Sequence, residues 1–558
     1  MVQIFDIPEV VCLICEQARR TDLARLLTTS RLFFGCAMPL VWRSLPESAP
    51  MILMNLIPDN NKYLNANLNT KLVATFLDNL RPLDALALAR FNLYAPQVKR
   101  VVRHRRNKQT NVMWNRLLKL VGTYPILPNL EELKVSLGLP RESRYIAPDP
   151  YSFLSAYLNP NLVQIEDLYR HKDLPMEQQK LCDLLSNIVQ RCPQIRSLKL
   201  SSAASGASMA PKYAHEFANS LGQLCNLRIL RLNSMALNPP TLAALISLPK
   251  LESLTLGEEL RPEEWLRPGE SPGSFKVILP DGSFPALQHL GVKVCFMIQS
   301  AVQIWGIAAL VEHLTSISVC IRVPADSDEI RHLVRTICRC SPSVTALSLD
   351  CTRAIGCATL LASGIVEDLA PLHLQHLSLY GNDNNYGGAW PSSEQIALAF
   401  PNMECLRIHG YSFSFEDLVF IAKYMPRLQQ LSMRVQVNTD WPSSDELFSL
   451  ALTPSQSRLY FHFSGARPAP GRLAGARFMI PNEKVEAVAA GLHALWPNGV
   501  VCEAYQRLGK DTEPSWTDKV NTTLGQLRAS RVGEHYNQIV IIPRQHGRGR
   551  VPPWLGVF

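Results

Sequence analysis

Cysteine is the residue type whose spacing in this chain most invites a chemical reading. Cys12 and Cys15 have two residues between them, and Cys338, Cys340, Cys351 and Cys357 crowd a second region. Cys12-x-x-Cys15 has the spacing of half a metal site, but no second pair or nearby histidine completes it. On a helix, two small thiols suit an apolar face, and the later four fall where core cysteines are common. The fourteen cysteines form no even framework, so reduced thiols are expected. The chain contains no His-Glu-x-x-His, Gly-x-x-x-x-Gly-Lys-Ser/Thr or Gly-x-Ser-x-Gly. Zinc-hydrolase, phosphate-loop and nucleophile-elbow chemistry therefore lack a carrier. No catalytic residue, metal ligand or cofactor is assigned, and a non-enzymatic protein is expected.

Charge gives a second candidate. Lys99, Arg100, Arg103, His104, Arg105, Arg106 and Lys108 are the densest run in the chain. Such a run can be an import signal or a nucleic-acid patch. No aromatic platform interleaves with it, which favours a solvated loop after a first strand. A formal charge of +9 over 558 residues is modest and does not imply nucleic-acid binding. With 47% hydrophobic and 18% charged residues the composition is globular, and the length calls for several domains or an extended repeat array. Asp6 and Glu9 replace the basic start of a signal peptide, and no apolar run reaches the roughly 18 residues of a membrane helix. A cytoplasmic or nuclear protein without membrane contact is expected. Asn521-Thr522-Thr523 is a glycosylation acceptor by pattern only.

Residues 5–45 read as three short helices. Asp6, Pro8 and Glu9 make a helix start, followed by Val10, Val11, Leu13 and Ile14. Thr21-Asp22 opens a second, with Leu23, Leu26 and Leu27 at helical spacing, and a third apolar cluster runs from Leu32 to Trp42. Some 40 residues cannot bury that much apolar surface among themselves, so an excess remains for a partner.

These residues resemble the F-box. Its Leu-Pro opening is Ile7-Pro8 here, with Ile for the leading Leu, followed by Glu9, Val10-Val11 and Leu13-Ile14. Asp22-Leu23, Ser30-Arg31 and Val41-Trp42 match the middle and end of the motif in order. The resemblance implies docking to a Skp-family adaptor and, through it, to a cullin scaffold. For adaptor contact it points to Ile7, Pro8, Val10, Val11, Ile14, Leu23, Leu26, Leu27, Val41 and Trp42. Some of these must form the module's own core, and the spacing does not sort them. An ordinary helical cap on a larger domain is the other reading.

Beyond residue 94 a Leu-x-x-Leu-x-Leu segment recurs, often after Pro-x. Clear copies begin at Leu130, Ile195, Leu227, Leu251, Leu287, Leu314, Val344, Leu374, Met403 and Leu428, with degenerate copies at Val98 and Leu162. Successive starts are 24 to 36 residues apart, the irregular period of a repeat array. Helix-like stretches lie between them. Residues 328–338 place Ile330, Leu333, Val334 and Ile337 on one face, and Ser414 with Asp417 caps residues 415–425. The pattern resembles a leucine-rich repeat array, although the Asn or Cys that often follows the motif is mostly missing. A doubly wound α/β domain also alternates strand and helix, but the near-constant spacing argues against it.

The expected fold is thus α/β: an N-terminal three-helix F-box, then an irregular leucine-rich-repeat solenoid with a curved parallel sheet and outer helices. The expected boundaries are 1–47 for the F-box, 48–94 for a helical connector with helices over 70–80 and 83–93, 95–505 for the solenoid, and 506–558 for a C-terminal cap and basic tail. Residues 454–481 break the rhythm and read as a loop, while residues 484–496 and 517–530 read as helices and 500–502 as the last strand.

Alternation along each strand sends the leucines inward and the intervening residues to an open concave face. Lys134, Lys199, Arg231, His289, Lys293, His376, Tyr380, Arg407, His409 and Arg434 are the candidate substrate contacts there. Together with the F-box resemblance, this implies a substrate receptor of a Skp–cullin–F-box ubiquitin ligase, holding a protein target through the repeats. A leucine-rich scaffold or inhibitor outside ubiquitination is the alternative.

Overall fold

The computed structural model describes residues 4–46, 48–58, 81–105, 116–122, 125–136, 154–167, 178–200, 210–232, 239–257, 279–280, 282–294, 298–323, 327–351, 364–381, 392–435, 441–443, 446–447, 450, 452–463, 482–504 and 516–532. The chain divides into two compact units, Met1–Glu259 with two short later segments, and Leu287–Phe558 with two short earlier ones.

The first unit opens with helices α1 (Pro8–Gln17), α2 (Arg20–Leu26) and α3 (Arg31–Trp42). Ser30 caps α3 by accepting from the Phe33 amide, and Pro8 sits at the start of α1, where its missing N–H costs nothing. Strands β1 (Ser44–Leu45), β2 (Arg100–Arg105), β3 (Glu132–Ser136), β4 (Gln164–Asp167), β5 (Ser197–Leu200), β6 (Ile229–Leu232) and β7 (Ser253–Leu256) follow. Each pairs in parallel with the next. The second unit repeats the plan with β8 (His289–Val294), β9 (Ser316–Ile321), β10 (Ala346–Asp350), β11 (His376–Tyr380), β12 (Cys405–Phe413), β13 (Gln430–Val435), β14 (Leu459–Phe463) and β15 (Val500–Ala504), again parallel throughout.

The period of the sequence becomes a staircase of hydrogen bonds. In repeat after repeat, one carbonyl just before a strand accepts from two successive amides of the next repeat. Lys99 serves Glu131 and Glu132, Glu131 serves Val163 and Gln164, and Val163 serves Arg196 and Ser197. In the second unit Gln288, Thr315, Thr345, Gln375 and Glu404 do the same. Inward leucines such as Leu133, Leu198, Leu230, Leu347, Leu377 and Leu431 are fully buried. The Asn-Leu turns ahead of the strands also have a purpose the leucine pattern did not reveal. Asn129, Asn161 and Asn226 each donate to the carbonyl of the proline one repeat earlier, Pro96, Pro128 and Pro193. Buried Asn159 donates to Tyr157 and Leu130, so its amide is satisfied inside the stack.

Helices return between strands, as expected. Ser327–Cys340 buries Ile330, Leu333, Val334 and Ile337. Ser414 and Asp417 close a capping box on Phe415–Tyr424. Asn482–Leu495 and Trp516–Val532 cover the expected late helices, and β15 the expected last strand. Two elements correct the sequence reading. The stretch read as a loop after residue 454 contains β14, whose Leu459 and Phe461 are core residues. The basic run read as a loop is β2 over Arg100–Arg105, while 106–108 lie outside the described residues. Of the connector, 59–80 lies outside the described residues, and helix forms over Ala89–Tyr94 rather than from residue 83. The tail from 533 is likewise outside them. No helix among the described residues is long and apolar enough to cross a membrane.

Candidate functional site

The three N-terminal helices close a small core of their own. Val11, Cys15, Leu23 and Ala37 are buried there, and Leu26, Leu27, Leu32, Phe33, Leu40 and Val41 pack around them. This sorts the ten candidate docking residues. Val11 and Leu23 are interior, and Leu26, Leu27 and Val41 are half-committed to the same core. Trp42 stacks on Tyr94 of the helix Ala89–Tyr94, at 4.6 Å between ring centroids. Ile7 and Val10 are half-exposed, and Pro8 and Ile14 are exposed. Leu13 at 61% and Phe5 at 56% are the most open apolar side chains of the module, and neither stands among the ten. The signal for Leu13 lay in the breadth of the α1 stripe, which was wider than one small core can use; Phe5 precedes the helix and had none.

The module is also spliced into the first unit. The carbonyl of Arg43, just past α3, accepts from Lys99 and Arg100, and so forms the first step of the staircase. Arg20 reaches the Ser44 carbonyl at 2.9 Å, and β1 pairs with β2.

On the face opposite the leucines, the first unit carries charge in ladders. Lys134, Glu166, Lys199 and Arg231 are aligned across four adjacent strands. Glu166 sits between Lys134 (3.6 Å) and Lys199 (3.3 Å). One step before, Lys99 pairs with Glu131 at 2.8 Å and Arg100 with Glu132 at 3.0 Å. Lys99 and Arg100, the two residues of the basic run whose side chains are described, are therefore both ion-paired.

The second unit differs. His289 and Lys293 lie on the expected face but are only 2% exposed, and Ser316, Ser318, Ser348 and Ser378 beside them are buried too. Alternation alone had put this stretch in the open. His289 Nδ1 is 3.1 Å from Ser316 Oγ, and burial pushes its imidazole down to about 4. Farther along, the face opens around Arg407. Its guanidinium donates to Gln430 Oε1 at 3.2 Å, and Cys405 Sγ donates to the same oxygen at 3.1 Å. In register beside it stand Ser378, Ser432, His462 and Glu503. Ser432 Oγ lies 3.2 Å from His462 Nδ1, and the Tyr460 hydroxyl donates to the Glu503 carboxylate. Tyr380 and His409 form a stacked pair, 4.6 Å apart and nearly parallel. Burial holds the imidazoles of His376 and His462 below their ordinary values. Glu404 and Glu503 respectively oppose this, and Arg407 adds to it in both.

Of the sequence candidates, His376, Tyr380, Arg407 and His409 thus share one half-exposed patch over β11 and β12. Arg434 is aligned with Ser412 on the neighbouring strand, and its side chain lies outside the described residues. Gln430, Tyr460, His462 and Glu503 complete the patch and were missed, the last three because their strands lack the leucine motif. No group of three or more His, Cys, Asp or Glu among the described residues could hold a metal ion.

The parallel pairing in both units, with a repeated inward leucine set, settles the architecture. The chain is an α/β protein of parallel, leucine-rich-repeat-like units. No family model and no curated protein matches the sequence. Among solved structures, the chain is similar to one described as the TLR13–ssRNA13 complex, at 13% identity and TM-score 0.26, over 66% of this chain and 54% of that one. It spans about half the length of that protein. A second is the Rad7 and Elc1 complex in yeast, at 10% identity and TM-score 0.32, over 84% of this chain and 92% of that one.

Proposed function

We propose that this chain is the substrate-receptor subunit of a Skp–cullin–F-box ubiquitin ligase. The N-terminal helices dock a Skp-family adaptor, the repeats hold a protein target, and a cytoplasmic or nuclear location goes with that role. No residue of the chain is catalytic in this reading. Its contribution is to hold the target near an enzyme that carries the ubiquitin.

The observation that carries the proposal is the apolar surface left over on α1 and in the turn just before it. After the module has closed its own core, Phe5, Leu13 and Ile14 remain exposed, beside Pro8, within the stretch that resembles the F-box. Large apolar side chains left open on one small module are the kind of surface that marks an interface. For the target, the patch around Arg407 combines a cation, stacked rings and half-buried polar groups on rigid strands, the make-up of a recognition surface.

The test is retention of a purified Skp-family adaptor by full-length protein. Wild type is expected to retain it, and Leu13→Asp with Ile14→Asp to lose it with the circular dichroism spectrum unchanged, since both side chains already face water. Failure of the folded wild type to retain any adaptor would favour the second reading, a repeat scaffold whose helices serve as a cap. That reading has its own support in the Arg43 step of the staircase and the Trp42–Tyr94 stack.

A further inference from the structure

The N-terminal module contains a pair of thiols that docking does not use. Cys12 on α1 and Cys36 on α3 are 24 residues apart in sequence, and their sulfurs are 2.8 Å apart. That is about 0.8 Å more than a sulfur–sulfur bond of roughly 2.05 Å. Both cysteines are half-exposed, whereas Cys15, one turn farther along α1, is buried. The opposition is built in, because α1 and α3 are held together by Val11, Cys15, Leu23 and Ala37. Cys36 Sγ also lies 3.7 Å from the Pro8 carbonyl, so its side chain is held toward α1.

We propose that Cys12 and Cys36 are a modification site: a dithiol that low-molecular-weight disulfides of the glutathione class convert to an intramolecular bond, stapling α1 to α3. One cysteine thiolate attacks the small disulfide and expels one glutathione thiolate, leaving a mixed disulfide. The other cysteine then attacks the protein sulfur of that bond and expels the second. Two electrons pass from the cysteine pair to the small disulfide, and the two thiol protons end on two molecules of reduced glutathione. The staple forms in the same turn of α1 as exposed Leu13, so oxidation fixes the surface on which that residue stands. Contact with Cys12 and burial push the Cys36 thiol up to about 11, so Cys36 itself is seldom a thiolate at neutral pH. Exchange runs through a thiolate, so its rate rises with pH as long as the attacking thiol is mostly protonated.

The experiment uses full-length protein, reduced and then incubated with graded ratios of oxidised to reduced glutathione at pH 7.0 and 8.5. Acid quenching, alkylation and tryptic digestion without reductant follow. The expected product joins peptides 1–19 and 32–43, disappears on dithiothreitol treatment and forms faster at the higher pH. It persists in Cys15→Ser and is lost in Cys12→Ser and in Cys36→Ser, in which the remaining thiol carries glutathione at most. Exposed Cys225 reports that the oxidant has acted. Glutathione on Cys225 with Cys12 and Cys36 both still alkylated would overturn the proposal, as would a link that depends on Cys15. Neither result depends on whether the helices dock an adaptor.

Discussion

The polar faces of the two units are built on the same inward leucines and reach opposite solutions outside them. In the first unit, long charged side chains neutralise one another across strands, with Glu166 set between Lys134 and Lys199. In the second, Ser316, Ser318, Ser348, Ser378, His289 and Lys293 are closed off from water, and half-exposed polar side chains stand around Arg407. The parallel ladder requires apolar residues at the inward positions alone, so the intervening ones are free to diverge. A ladder of ion pairs suits a face that stays solvated, where each pair is worth little. Small residues let a face close, and any titratable group trapped there then becomes a stability determinant.

His289 gives the largest way to break that contrast. Its imidazole titrates near 4 in the folded protein, below the ordinary 6.5, so the unfolded chain takes up the proton first. Its contribution is complete above about pH 6.5 and is lost as pH falls toward 4. The loss is on the order of 3 kcal/mol. Urea unfolding of wild type between pH 7 and 4 is expected to show it, and His289→Asn to flatten the slope over that interval. An equal slope in the variant would mean that His289 is not the group responsible.

The first unit predicts a smaller effect of a different character. Glu166→Gln leaves Lys134, Lys199 and Arg231 aligned without the anion between the two lysines. A loss of about 0.5–1 kcal/mol is expected, after allowing for side chains that are partly in water. Added salt is expected to recover much of it, because screening acts on exposed charges. A salt-independent loss would point to packing. The smallest effect concerns protons alone. Arg407→Met is expected to raise the pKa of both His376 and His462, because its charge lowers both, with the fold unchanged. Imidazole NMR titration reads this directly, and unshifted curves would show that Arg407 is not coupled to the patch.

Much of the architecture was legible in the chain. The strands from β2 to β13 begin at or near the Leu-x-x-Leu-x-Leu starts, and the Ser414–Asp417 box is where capping chemistry put it. The exceptions share a cause. β1 is two residues long, too short for any period, and is specified by the Arg43 carbonyl that its neighbour uses. β14 uses Phe461 where other strands use leucine. Asn129, Asn161 and Asn226 act 33 residues away, and a local pattern does not show that.

The sequence by itself determined the period, the inward leucine face and the presence of an apolar three-helix opening, because these follow from side-chain spacing along one strand or helix. Tertiary packing decided the rest. It put Val11 and Leu23 inside and left Leu13 and Phe5 out, turned Trp42 onto Tyr94, closed the face over His289 and Lys293, and set Cys12 against Cys36. Each of these depends on which residues from distant segments meet a given face. Spacing fixes the direction of a side chain, and only the assembled neighbours fix whether water, a partner or another side chain lies in that direction.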